Sequence, residues 1–339
     1  MVTRRSAGNF HIARAVWYTQ KGTVELRPDR VGQPAPGHVR ITMLYSGISR
    51  GTERLVFEGG IGVSEYERMR APFQSGQFSF PVKYGYCATG VIESGADEIV
   101  GRTAFCLHPH QDVFVVPATA ITLLPEGLPA RRATLAANME TALNAIWDSR
   151  STLGDRIVIV GGGIVGLLVA YLAAHIPGTD VTVVDIDSSR KAIVEKLSAK
   201  FATPDDINQI SPADVVFHTS ATANGLQTAI SLAGAEATIV EMSWYGDCDT
   251  PVNLGGAFHS QRLRLIASQV GQIPAHRQRR WNSQKRIAKA LDLLQDPVFD
   301  SLVADEIAFD DVATALPEVL SRDAKGLAPV IRYASMENS

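Results

Sequence analysis

The sequence predicts an α/β protein with two domains, a doubly wound parallel sheet and a β-rich partner. Three observations predict it. The chain has 339 residues, more than one ordinary core organises. Its first third consists of short β-type runs between Gly/Pro turns, and its middle alternates apolar strands with long helical patterns.

The β-type runs of the first part are 15–18, 39–45, 90–93 and 113–117. Pro34-Ala35-Pro36-Gly37 and Leu124-Pro125-Glu126-Gly127 mark turns, and such spacing predicts a compact barrel-like domain. The stretch 59–80 interrupts the pattern. Ser64-Glu65-Tyr66-Glu67-Arg68-Met69-Arg70 reads as a short helix and Ala71-Pro72 opens a loop, a candidate lid or substrate loop. From Leu128 onward helices are predicted at 129–147, 163–175 and 189–201. They alternate with strands at 157–160, 181–185, 214–217, 238–242 and 263–267. A helix at 283–294 and a strand at 330–333 close the chain. The predicted division is 1–137 with 270–339 as the β-rich domain and 138–269 as the parallel-sheet domain.

With 45% hydrophobic and 20% charged residues the composition is that of a soluble globular protein. A net charge of −3 argues against a general nucleic-acid or membrane-surface binder. No apolar run approaches the ~20 residues of a membrane span. Residues 1–14 carry Arg4, Arg5 and Arg14 without an apolar run behind them, which predicts a frayed tail rather than a signal peptide. Three cysteines, Cys87, Cys106 and Cys248, make no disulfide framework and point to a reducing, cytoplasmic setting.

Gly161-Gly162-Gly163-Ile164-Val165-Gly166 follows an apolar strand and opens a helix, the context a dinucleotide fingerprint needs. Gly161 permits the tight turn, Gly163 lets the backbone approach a pyrophosphate, and Gly166 lets helix and strand pack closely. The helix start at Ile164 and Val165 offers free N–H groups to the phosphates. Asp185, about 20 residues on, is placed for the adenosine ribose hydroxyls, and its charge repels a 2′-phosphate. NAD(H) is therefore expected over NADP, with Arg190 available to stack on adenine or to soften that choice.

On these residues, together with Tyr45-Ser46-Gly47-Ile48-Ser49-Arg50-Gly51-Thr52-Glu53, Phe80-Pro81-Val82-Lys83-Tyr84-Gly85-Tyr86-Cys87 and Ala136-Ala137-Asn138-Met139-Glu140-Thr141, the chain resembles the medium-chain dehydrogenase/reductase superfamily over nearly its whole length. The resemblance implies a GroES-like catalytic domain beside a Rossmann NAD-binding domain. It also implies a homodimer and hydride exchange with a small-molecule alcohol or ketone. The family's three catalytic zinc ligands match Ser49, Tyr86 and Ala137, none of them a good zinc donor. The family's four-cysteine structural zinc lobe is absent as well. The run from Ser46 to Arg54 resembles the branch that contains bacteriochlorophyllide a dehydrogenase.

Without zinc, the reacting oxygen must be stabilised by side chains. Tyr86 matches a ligand position, so its phenol is expected to hydrogen-bond that oxygen; the alternative is a packing residue that fills the site. Tyr84 is expected on the same strand face, and Arg50 is expected to lower the phenol pKa. Ser49 and Thr52 are candidate proton relays. Glu140 is a candidate acid/base or simply a helix-start residue, and the resemblance places Thr141 near the nicotinamide. Arg50, Arg54, Arg68, Arg70 and Lys83 raise an anionic substrate as one reading, with solvated loop arginines as the other. Cys106-Leu107-His108-Pro109-His110, with Cys87, is a rival metal site. Pro109 points instead to a turn with surface histidines, so no metal is expected. Two other functions compete with the alcohol dehydrogenase, namely a zinc-free reductase of activated C=C bonds and a non-catalytic NAD(H)-binding protein.

Overall fold

The computed structural model describes residues 10–303 and 306–334. Residues 1–9, the greater part of the expected frayed tail, lie outside these; from His11 the chain is already strand. Packing divides the chain into two units, one running to Leu135 and resuming at Val303, the other Ala136–Leu302.

The first unit opens with β1 (His11–Gln20) and β2 (Thr23–Val31), paired antiparallel, then β3 (His38–Gly47). Helix α1 (Arg50–Glu58) follows directly, ending at Gly59 in the left-handed conformation. The long stretch after it holds only a turn of 3-10 helix, Val63–Glu65, and β4 (Ser75–Gly76), so the helix expected over 64–70 does not form. Aromatic contacts anchor this stretch. Tyr66 meets Phe78 edge-on, Phe78 meets Tyr84, and the Tyr66 hydroxyl hydrogen-bonds Ser79 at 2.9 Å. Then come β5 (Val82–Lys83), β6 (Ala88–Ser94), β7 (Thr103–Cys106), β8 (Val113–Pro117), β9 (Ile121–Leu123) and the short α2 (Ala130–Ala133).

The second unit begins with α3 (Ala136–Ser149), β10 (Arg156–Val160), α4 (Ile164–Ala174) and β11 (Asp180–Val184). The helix expected over 189–201 is shorter, α5 (Lys191–Lys196). It ends before Ser198, whose φ is 65°, and β12 (Lys200–Ala202) starts directly after. Next are β13 (Ala213–His218), α6 (Ala223–Leu232), β14 (Ala233–Glu241), α7 (Ala257–Ser260), β15 (Arg264–Ala267) and α8 (Ser283–Leu293). The six strands form a wholly parallel sheet in the order β12-β11-β10-β13-β14-β15. Val158, Val160, Val216 and Ile239 are buried in its core, as parallel strands covered on both faces require. Each such side chain contributes about 1.5–3 kcal/mol by burial. The segment 270–302, placed in the β-rich domain by the sequence, packs with the parallel-sheet unit. Its α8 lies on α3, and Phe299 meets Tyr171 of α4 edge-on.

From Val303 the chain returns to the first unit with β16 (Glu306–Ala308), α9 (Val312–Val319) and β17 (Val330–Arg332). One sheet there has the order β2-β1-β5-β4. The other runs β16-β17-β3-β6-β7-β9, with β8 also on β3. The first is antiparallel throughout and the second is mixed, with β16 and β17 parallel; the β-rich character expected of this part is present.

Candidate functional site

In the first unit β3 delivers the chain into α1, whose N-cap is Ser49. Glu53, in the first turn, reaches back so that its Oε1 accepts the Ser49 amide at 2.8 Å, a placement the positive helix end favours. Its Oε2 accepts the Tyr18 hydroxyl at 2.8 Å and lies 3.0 Å from His110 Nε2. His110 Nδ1 in turn lies 2.7 Å from Ser46 Oγ, which lies 2.9 Å from the Tyr333 hydroxyl. Tyr18, Glu53, His110 and Ser46 are fully buried. Burial pushes the Glu53 carboxyl up, but the His110 ring, the Ser49 amide and the Tyr18 hydroxyl outweigh it and hold the group below the ordinary carboxylate value.

Tyr86 sits beside this cluster. The side chains of Ser49 and Thr52 lie close enough to its phenol to favour the phenolate, so three of the residues singled out by sequence come together. Two expectations about it fail. Residues 84–87 are not strand, because Gly85 adopts φ 121°. A Cβ there would fall 2.8 Å from the His110 ring, so the histidine demands the glycine. Tyr84 is therefore a buried packing residue, its ring nearly perpendicular to that of Tyr86 at 6.0 Å. Arg50 does not lower the Tyr86 pKa either. Burial, and then the neighbouring Cys87, raise it well above the ordinary phenol value, against the pull of Ser49 and Thr52. Burial and Cys87 thus both disfavour the phenolate.

Arg50 instead donates to the carbonyls of Lys325 and Gly326, both at 2.9 Å, and to that of Ala324. Arg54 donates to Leu320 at 2.7 Å and Ser321 at 2.8 Å, carbonyls that the end of α9 leaves without helical partners. Arg68 pairs with Glu65, Arg70 donates to the Gln74 and Gly76 carbonyls, and Lys83 reaches Asp29 and Gln111. All five cations are engaged within the unit.

His108 and His110 are buried rather than at the surface, and the Cys106-His108-His110 alternation does not assemble ligands. His108 stacks on Phe114 with ring centres 3.7 Å apart, and burial pushes its pKa down to about 3. The Cys106 thiol faces the Ala120 carbonyl, and burial pushes it up to about 12. Among the described residues no group of three His, Cys, Asp or Glu side chains is arranged to hold a metal ion.

In the second unit the glycine turn joins β10 to α4. Gly161 has φ 111°, and a Cβ on Gly166 would overlap the Gly161 carbonyl. Gly163, the N-cap of α4, carries no side-chain cap, and a Cβ there would meet nothing within 4 Å. The uncapped N–H groups of Ile164, Val165 and Gly166 and the open space at Gly163 fit a pyrophosphate. Asp185 accepts the Gly162 amide on one oxygen and the Asp187 amide at 2.7 Å on the other, which fixes its carboxylate at the end of β11. Arg190 pairs with Asp187 at 3.2 Å. Thr141 Oγ1 donates to the Ala137 carbonyl one turn back on α3.

Glu140 is a structural partner and not a helix-start residue. It is buried in α3 and ion-paired at 2.9 Å with Arg286 of α8, which also donates to Asn144 and to the Val270 carbonyl. Burial raises the Glu140 pKa against the pull of Arg286. The sequence held a signal for Arg286, because it falls on the buried stripe of α8 with Ile287, Ala290 and Leu291. Ala137 also belongs to this unit.

No family model matches the chain. It is 28% identical over 169 residues to 2-dehydro-3-deoxy-L-galactonate 5-dehydrogenase of Pseudoalteromonas atlantica, covering 47% of this chain and about half, 49%, of that enzyme. It is 23% identical over 343 residues to (R,R)-butanediol dehydrogenase of Bacillus subtilis, covering 88% and 93%. Its fold matches an alcohol dehydrogenase of Escherichia coli solved with NADH, with a TM-score of 0.74 and 15% identity over 95% of this chain and 99% of that one. The proteins it resembles in sequence and fold are dehydrogenases, alcohol dehydrogenases and zinc-type ones among them, and the α/β architecture of a Rossmann sheet with a β-rich unit is theirs. Among the described residues no helix is long and apolar enough to cross a membrane.

Proposed function

We propose that this chain is a zinc-independent, NAD(H)-dependent oxidoreductase that moves hydride between nicotinamide and a secondary alcohol or ketone. The observation that carries the reading is the glycine turn between β10 and α4, with Asp185 held at the end of the neighbouring strand. When bound, the nicotinamide supplies and accepts the hydride. Gly161, Gly163, Ile164, Val165 and Gly166 would hold its phosphates, and Asp185 the adenosine ribose. The relatives are alcohol and polyol dehydrogenases, which supports an alcohol substrate.

Zinc independence rests on Ser49, Tyr86 and Ala137 standing at the family's ligand positions. The Tyr86 phenol, beside Ser49 and Thr52, donates a hydrogen bond to the substrate oxygen in place of a Lewis acid. Membership of the bacteriochlorophyllide a dehydrogenase branch rests on the run from Ser46 to Arg54 alone. Self-association is proposed through β15, the sheet edge on which Leu265 is 37% exposed.

Metal analysis combined with NADH and NADPH titration by fluorescence tests the reading. Substoichiometric zinc and tighter NADH binding are expected. One zinc per chain overturns the zinc-free reading, and a preference for NADPH favours the C=C reductase. Tyr86→Phe is expected to lower kcat about 100-fold, the scale of one lost transition-state donor, with NADH affinity unchanged. Unchanged turnover would return Tyr86 to a packing role.

A further inference from the structure

A second polar cluster, buried at His218 and half-buried around it, lies in the parallel-sheet unit, outside every motif used so far. His218 ends β13 and Glu241 ends β14, and the two are register partners. His218 Nδ1 lies 2.7 Å from Glu241 Oε2, and its Nε2 lies 2.7 Å from Ser220 Oγ. Glu241 Oε2 also accepts the Tyr245 hydroxyl at 3.1 Å, while Oε1 accepts the Ser243 amide at 2.7 Å. Ser243 Oγ accepts the Ala221 amide at 3.1 Å and closes the ring. His218 is fully buried. Helix α6 is notched to admit the cluster. A Cβ on Gly225 would overlap Ser220 Oγ and fall 2.8 Å from His218 Nε2.

The position of this cluster suggests its use. In a doubly wound sheet a dinucleotide lies across the carboxyl ends of the strands, centred where the strand order reverses. Here that centre is β10, flanked by β11 and β13. Asp185 marks the β11 side as the adenosine side, so the other half of the molecule falls on β13 and β14. Thr219, between His218 and Ser220, donates to the Gly161 carbonyl at 2.8 Å and ties this loop to the phosphate turn itself.

We propose that the His218–Glu241 pair positions the two loops, 219–222 and 242–245, that receive the nicotinamide-riboside half of the dinucleotide. The inference rests on the dinucleotide reading above. The imidazole bridges the loops because each ring nitrogen is engaged by a different one. Nδ1 holds the carboxylate that orders Ser243 and Tyr245, and Nε2 holds the hydroxyl that precedes α6. Removing the ring leaves Glu241 with Tyr245 and Ser243, and Ser220 with Thr222, each inside its own loop, and takes away the bridge that the ring makes between the two loops. These residues touch the cofactor through the loops they hold, so they are positioning residues and not catalytic ones.

Calorimetric titration of the full chain with NADH and with ADP, which lacks the whole nicotinamide riboside, separates the two halves. His218→Leu is expected to weaken NADH about tenfold, the scale of one lost charge-assisted bond, while ADP changes by less than about twofold. His218→Asn, whose amide can still donate to Glu241, should recover part of the loss. Equal weakening of both ligands, or no change in either, overturns the proposal. If His218→Leu does not fold, Glu241→Gln and Gly225→Ala carry the same comparison. If the parent binds neither ligand, the dinucleotide reading fails, and this one with it.

Discussion

Replacing Gly166 with alanine is expected to abolish NADH binding. The added methyl would overlap the Gly161 carbonyl and fall 2.7 Å from Thr219 Oγ1. Gly161 is held at φ 111°, so its carbonyl cannot turn away cheaply. Helix α4 must lift from β10, at an overpacking cost of about 1–3 kcal/mol. The loss of affinity should exceed what that cost alone implies, because the N–H groups of the first turn move with the helix. A displacement of about 1 Å at a phosphate site is worth roughly 100-fold. Gly163→Ala is the contrast. Its methyl meets no protein atom within 4 Å, so the melting temperature should hold while the backbone's close approach to the pyrophosphate is blocked. Fluorescence titration and thermal unfolding of both variants decide the matter. A Gly166→Ala protein that binds NADH like the parent would remove the phosphate turn from the site.

Glu53→Ala is expected to cost the β-rich unit about 3–5 kcal/mol, the scale of a buried charged partnership broken on one side. Tyr18, His110 and the Ser49 amide would each lose an acceptor inside the core. Glu53→Gln keeps the shape and isolates the charge. Burial raises the carboxyl and the surrounding donors more than offset it, so the folded pKa lies below the unfolded one. The sign follows from that direction. Its stabilisation is full above the ordinary carboxylate range and is lost as pH falls through the lowered folded value. Melting temperatures from pH 7 downward should therefore show the parent's advantage over Glu53→Gln shrinking below about pH 4. An advantage that stays constant across that range would remove the charge from the account.

The parallel-sheet unit was the more legible half, for a physical reason. Its strands are buried on both faces and read as continuous apolar runs, such as Ile157 to Val160. Its phosphate turn must be glycine, and glycine is visible in any sequence. The β-rich unit was harder. Its site depends on side chains far apart in sequence, Tyr18, Glu53, His110 and Tyr333, whose proximity no local period announces. Arg50 was misplaced because sequence distance stood in for spatial distance; its partners lie near residue 325. Helices α1, α6 and α9 were passed over. In α1 the buried residues are Glu53, Val56 and Phe57, and the carboxylate among them hides the helical period. His218 and Glu241 carried a usable signal, polar residues ending apolar parallel strands, where such sheets receive ligands.

The placement of β17 sets the order in which this chain becomes a protein. It lies between β16 and β3 and pairs with residues 45–47 of β3, so that end of the sheet closes on a strand that follows the whole parallel-sheet unit in the chain. The whole parallel-sheet unit leaves the ribosome before that strand exists. During synthesis residues 45–47 of β3 wait for that partner while β8 covers residues 38–42, and the waiting time grows with the length of the inserted unit. A nascent chain stalled after residue 302 should thus protect its dinucleotide turn from protease while Ser49 and Tyr86 stay cleavable.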